Sequence, residues 1–159
     1  MDPRELRTAF GRFATGVTVV TCRGDDGPHG LTVNSFTSVS LDPPLVLVSI
    51  DRRANAARYL SGRPFAVNVL TAGQEALAWQ FAGRPQDDLT VAWVEGSLTP
   101  RLAESLAYFE CSPWREYDGG DHVLFLGRVE EFAYTDGAPL LFFASRMAKL
   151  PPPGPQSNP

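Results

Sequence analysis

The chain is divided into short β-branched and aromatic runs, and turn sequences rather than regular helices separate most of them. The runs are VTVVTC (17–22), LVLVSI (45–50), FAVNVL (65–70), LAYFECSPWREY (106–117), HVLFLGRVEEFAY (122–134) and LLFFAS (140–145). Such residues suit a pleated, half-buried surface, so each run is predicted to be a strand. A further strand is expected through GLTVNSFTSVS (30–40). The turns are GDDG (24–27), LDPP (41–44), DGGD (118–121) and TDGAP (135–139), all built from the residues that hairpin geometry selects. Pro43 and Pro44 forbid a ladder from continuing through them.

Helices are few. Residues 2–15 are predicted helical, with Asp2 as cap, Pro3 in the first turn, Glu5 completing a capping box, and Leu6, Phe10 and Phe13 on one face. Two more are expected over 52–60 and 75–83, and 84–100 is expected to be irregular, with Trp93 and Leu98 packed beneath it. Strands and helices do not alternate, and no G-x-G-x-x-G follows a strand. A doubly wound dinucleotide fold is therefore disfavoured. The expected fold is mostly β with peripheral helices, an antiparallel barrel whose closure protects its edges. The domain is expected over 1–150, followed by a disordered proline-rich tail, PPPGPQSNP (151–159).

Composition narrows the function. With 43% apolar and 20% charged residues the chain is globular, and its 159 residues suffice for one core. A net charge of −4 and the lack of any basic block argue against nucleic acid as partner. No signal-peptide pattern is present and no apolar run approaches the ~18 residues of a membrane helix, so a cytoplasmic protein is expected. Cys22 and Cys111 have no metal-site spacing and are expected to be buried free thiols.

Against this ordinary background the 30–40 segment is odd. It carries Thr32, Asn34, Ser35, Thr37, Ser38 and Ser40 where a strand would place apolar residues. One reading is a solvent-facing strand with hydroxyls matched across a ladder. The other is the wall of a site for a flat ligand with polar edges. The next segment favours the second reading: LVLVSIDRRANA brings Ser49, Asp51, Arg52, Arg53 and Asn55 together, with two arginines at a predicted helix start, where cations are unfavourable unless an anion is bound. Either arginine can equally be a solvated surface charge. Gly83 allows close backbone approach before Arg84. Asn68, inside an apolar strand, is expected to be a hydrogen-bonded support. His29 is expected to be exposed. His122 stands where a turn meets a strand, with Asp121 to orient it. No second histidine or cysteine joins His122, so no metal site is expected.

FGRFATGVTVVT (10–21), GLTVNSFTSVSLDPPLVLVSID (30–51), RPFAVNVL (63–70), FAG (81–83) and GDHVLFLGRV (120–129), in this order, resemble the flavin reductase-like family. The resemblance covers about residues 5–146. It implies an FMN-binding split β-barrel of Greek-key-like topology, a homodimer, and an NAD(P)H:flavin oxidoreductase. Such an enzyme transfers hydride from NADH or NADPH to FMN or FAD and supplies reduced flavin to a partner monooxygenase. By resemblance, Thr32, Val33, Asn34 and Ser35 contact the isoalloxazine edge. Ser49, Asp51, Arg52, Arg53 and Asn55 handle ribityl and phosphate groups, with Ala82 and Gly83 a further phosphate-side contact. His122 matches the histidine of the family's G-D-H motif, near nicotinamide and flavin, and Arg146 the arginine of its closing segment. His122 and Asn34 are the catalytic candidates. The closing segment FFASRMAKL departs from the pattern, with Met147 where an aromatic is usual. The alternative is a non-reducing flavin-binding protein in which another substrate or partner replaces the nicotinamide.

Overall fold

In the computed structural model, which describes residues 1–151, the β-branched runs are strands. The order is α1 (Pro3–Phe10), β1 (Thr15–Gly16), β2 (Thr18–Gly24), β3 (Gly27–Val33), β4 (Thr37–Leu41), β5 (Pro44–Asp51), α2 (Asn55–Leu60) and β6 (Phe65–Val69). A 3₁₀ turn at Ala72–Gln74 leads into α3 (Glu75–Gln80), followed by β7 (Trp93–Glu95), β8 (Pro100–Leu102), β9 (Ala107–Gly119), β10 (His122–Tyr134), β11 (Leu140–Phe143) and β12 (Arg146–Lys149). The fold is mostly β with peripheral helices, and every strand pairing described is antiparallel.

Seven strands form the main sheet, in the order β3-β2-β6-β9-β10-β5-β4. Its two edges, β3 and β4, are consecutive in the chain, with only Asn34–Phe36 between them. Laid flat, seven strands at ~4.8 Å spacing would put the edges roughly 29 Å apart. Four residue steps from Val33 to Thr37 reach at most about 14 Å. The sheet is therefore strongly curled, and the crossover spans the gap between its edges. Among the described residues no backbone ladder joins β3 to β4.

Curling gives the sheet two buried faces at β2. Inside, Val20, Cys22, Val46, Val48, Ile50, Phe65, Val67, Cys111 and Phe125 pack together, and α2 plugs one end with Ala56, Tyr59 and Leu60. Outside, Val17, Val19, Leu70, Ala78, Leu102 and Leu140 pack β2 against α3, β8 and β11. Each such aliphatic or aromatic side chain stabilises the fold by about 1.5–3 kcal/mol through burial. Both cysteines are free and buried, as expected. Asn68 is fully buried and hydrogen-bonded to Val19, Thr21 and Leu102, the supporting role expected of it.

Several expectations are corrected. The 30–40 strand is two strands, because Val33 pairs with Thr18 on one edge and Thr37 with Leu47 on the other. The first helix ends at Phe10 with Gly11 as its cap; Asp2 accepts from the Arg4 N–H at 2.8 Å, and no residue of α1 is buried. Leu6 and Phe10, expected on one helix face with Phe13, are exposed, and Phe13, also exposed, lies beyond the helix. The second helix begins at Asn55 rather than 52, because Asp51–Ala54 still turn, with the Ala54 N–H donating to Asp51 O at 3.0 Å. The 84–100 segment contains β7 and leads into β8, with which β7 pairs; Trp93 does pack beneath it, edge-on to Phe81, whereas Leu98 is exposed. The strand at Leu140 ends at Phe143 and returns as β12 through Ala144 and Ser145, both with positive φ. His29 is half-buried, edge-on to Tyr59 at 5.1 Å. The predicted tail lies, from residue 152 onward, outside the described residues.

Candidate functional site

The crossover between the sheet edges is the centre of the candidate site. Leu31 and Val33 pack into the interior, and so does Phe36, stacked on Phe109 at 5.6 Å. Strict alternation would bring residue 35 inward, so the inward-facing set slips by one residue at Asn34–Ser35. The Thr32 hydroxyl donates to Ala78 O at 2.6 Å, and its N–H donates to Phe81 O at 3.0 Å, docking the end of α3. Ser35 Oγ donates to Ser49 O and accepts from the Ser49 N–H, both at 3.0 Å, which ties the crossover to β5. Both hydroxyls thus belong to the scaffold. Asn34, held between them, is exposed, and among the described residues neither its amide side chain nor its backbone N–H has a protein partner.

Three concavities follow one another along residues 28–37. The first, ≈ 490 Å³, lies between Phe13–Gly16 and Asn34–Thr37. The second, ≈ 190 Å³, shares Asn34 with the first and is walled by Thr32, Val33, Trp79, Ala82, Phe142 and Met147. The third, ≈ 450 Å³, lies over Pro28–Leu31 and is bounded by Arg53, Asn55, Phe81 and Gly83. The first two meet at Asn34, and the third adjoins the second only through neighbouring residues, Leu31 beside Thr32 and Gly83 beside Ala82; this row, the trough, is apolar in its middle, polar at Asn34 and bounded by a cation at one end. Gly83 has φ +81°, and a Cβ there would meet open space, so its backbone is accessible.

The cation is held in place by one carboxylate. Asp51 accepts from the Arg53 N–H at 2.8 Å, from Nε at 3.2 Å and from Nη2 at 2.9 Å. These hydrogen bonds to Arg53 hold the Asp51 carboxyl well below the usual carboxylate range and raise the guanidinium further. Arg52 points elsewhere, which corrects the expectation of a paired cationic corner. Its Nε donates to Gly120 O at 2.7 Å and its Nη2 pairs with Asp118, because consecutive residues on the Asp51–Ala54 turn project in different directions.

Of the residues proposed from sequence, Thr32, Val33, Asn34, Ser35, Arg53, Asn55, Ala82 and Gly83 line the trough. Ser49 and Asp51 lie behind it as partners of Ser35 and Arg53. His122 opens β10 directly across the ladder from Asp51, with Nδ1 2.7 Å from Asp121 Oδ1. It stands beside the carboxylate that holds Arg53, two ladder steps from the Ser49 that anchors Ser35. Arg146 is exposed at the start of β12, and its neighbour Met147 reaches the trough instead. Sequence reasoning did not assign Phe13, Trp79 or Phe142 to the site. Their apolar character reads as core, and only the path of the chain brings them to the crossover.

The chain matches the family described as flavin reductase like domain over residues 10–151. It belongs to the flavin reductase-like family. An NADH-dependent flavin reductase from a Rhodococcus species is 41% identical over 154 residues, spanning 94% of this chain and 88% of that protein. The reductase subunit HsaB of a flavin-dependent monooxygenase from Rhodococcus jostii is 39% identical over 157 residues, covering 96% and 80%. The Streptomyces globisporus NADH:FAD oxidoreductase SgcE6, solved with NAD and FAD fragments, superposes with a TM-score of 0.87 at 44% identity, covering 96% of each chain.

Proposed function

We propose that the crossover trough is the flavin site of this reductase. The enzyme is an NAD(P)H:flavin oxidoreductase that reduces FMN or FAD and supplies reduced flavin to a partner monooxygenase. The observation that carries the site assignment is Asn34: an unpartnered amide and N–H, fixed between two scaffold-bound hydroxyl residues, in the floor of a trough with a cation at its far end. A flavin fits these residues. It needs donors at one polar ring edge, apolar walls for its faces, and a cation for its phosphate. Asn34 offers the donors, Trp79, Phe142 and Met147 the walls, and Arg53 the cation.

Bound flavin supplies the hydride-accepting chemistry; the chain binds, orients and shields it. Asn34 holds the ring edge, and Ser35, anchored to Ser49, fixes where Asn34 stands. Arg53, oriented by Asp51, takes the phosphate together with Asn55 and the Ala82–Gly83 backbone. His122, braced by Asp121, serves the nicotinamide, with Arg146 at the rim. The curled sheet is a split barrel of Greek-key-like path, and the enzyme acts as a cytoplasmic homodimer.

The test is anaerobic absorbance with FMN or FAD and NADH or NADPH. Bleaching of the oxidised flavin band is expected. Asn34→Ala should weaken flavin binding about tenfold, as expected for a lost hydrogen-bonding group in a site. Unchanged flavin affinity in Asn34→Ala would remove the trough from the account.

A further inference from the structure

Arg52 spends its contacts on one two-residue hairpin turn and on the acid that leads into it. β9 ends at Gly119 and β10 begins at His122, paired with each other, so Gly120 and Asp121 alone make the turn. Gly120 has φ +74°, the conformation that the first position of a type II′ turn demands. The Arg52 N–H donates to Asp121 O at 3.0 Å, its Nε donates to Gly120 O at 2.7 Å, and its Nη2 meets the Asp118 carboxylate just before the turn. Both central carbonyls of the turn and the acid leading into it are therefore held by one residue of the β5–α2 connection. The next residue out of the turn is His122, whose imidazole is braced by Asp121.

We propose that Arg52 is a positioning residue that fixes the Asp121–His122 pair against the site, and not a ligand of the cofactor's phosphate. The proposal rests on the reading of His122 given above. The neighbouring arginines divide their work: Arg53 is directed by Asp51 toward the trough, and Arg52 clamps the turn. The guanidinium matters for its shape, because Nε and Nη2 reach two acceptors while the backbone N–H takes a third. Lysine can reproduce only one of the two side-chain contacts.

The experiment compares Arg52→Gln, Arg52→Lys, His122→Ala and the double variant Arg52→Gln/His122→Ala. Read-outs are KM and kcat for NADH, and dissociation constants for FMN and riboflavin by fluorescence quenching. Arg52→Gln should lower kcat/KM for NADH about tenfold while FMN and riboflavin affinities each stay within about twofold. Arg52→Lys should recover part of the loss. In the His122→Ala background, Arg52→Gln should cost less than about twofold more, since residues acting as a unit are not additive. Asp118→Asn, which takes the charge from one contact of the clamp, should give a milder loss of the same pattern. Weakened binding of FMN but not riboflavin in Arg52→Gln would make Arg52 a phosphate ligand and overturn the proposal. Losses that multiply in the double variant would overturn it while leaving His122 in place. A silent His122→Ala would instead remove the reading of His122, and the proposal with it.

Discussion

Replacing Asn68 by alanine should destabilise this fold more than any surface change near the site. Asn68 is fully buried on β6 and faces β2 and β8 together. Its Nδ2 donates to Val19 O at 2.9 Å and to Thr21 Oγ1 at 3.0 Å, and its Oδ1 accepts from the Leu102 N–H at 2.9 Å. Alanine leaves the Leu102 N–H buried without its acceptor, a cost of about 1–3 kcal/mol. The two donated bonds add about 0.5–1.5 kcal/mol each. The sum is about 2–6 kcal/mol, a large fraction of the roughly 5–15 kcal/mol that holds a domain folded. Urea-induced unfolding followed by tryptophan fluorescence measures it, with the m-value as a check that the two end states are unchanged. Asn68→Asp separates the donor from the acceptor role: its carboxylate can still accept from Leu102, yet it faces Val19 O with no N–H to offer. Asp should therefore cost more than Ala at neutral pH. A loss below about 1 kcal/mol in Asn68→Ala at unchanged m-value would show that β8 finds another partner, and the argument from unsatisfied groups would fail.

Three further outcomes follow from the same geometry. Burial pushes the Cys22 thiol up to about 11 and the Cys111 thiol up to about 12, so the fold favours both neutral forms. Their contribution to stability is whole below the ordinary thiol value of 9.0 and is lost as pH rises through about 11 to 12; denaturant midpoints should fall over that window, and a thiol reagent at pH 8 should label neither cysteine until the chain unfolds. A Cβ on Gly127 would lie 2.6 Å from Phe65 Cζ and 2.7 Å from Cys111 Cβ, so Gly127→Ala should lower stability by overpacking, by about 1–3 kcal/mol in a thermal or denaturant assay. Arg53→Gln should weaken FMN about tenfold and leave riboflavin unchanged in a fluorescence titration, because only the phosphate of FMN has use for the guanidinium.

The strands were readable because their causes are local. A β-branched run such as VTVVTC is a strand whichever neighbour it finds, and here β2 has one on each side. Hairpins with glycine signals were readable for the same reason, as at Gly119–Asp121. The β11–β12 turn was not, because Ala144 and Ser145 take positive φ without the Asn or Gly that usually announces it. The divergence of Arg52 and Arg53 was also beyond the sequence. It depends on Asp118 and Gly120, more than sixty residues downstream, reaching the same corner. Glu110 went unnoticed for a related reason. It is fully buried and accepts from the N–H groups of Leu98 and Thr99, and nothing in FEC marks it as different from a solvent-facing glutamate.

The polar segment at 30–40 shows what a fold does with a stretch that cannot remain a central strand. A central strand must give its N–H and C=O groups to both neighbours. The crossover cannot, because it leaves one edge of the sheet and joins the other within three residues. Groups freed in this way need partners, and the sequence supplies them unevenly. Thr32 spends its hydroxyl and N–H on α3, and Ser35 spends its hydroxyl on both backbone groups of Ser49. These bonds immobilise the chain on either side of Asn34 and leave its own groups open. A donor fixed on both flanks loses little further entropy when a ligand arrives, which is the advantage of preorganisation. Thr32 and Ser35 are thus scaffold, and between them they hold a single amide at the one place where the sheet cannot use it.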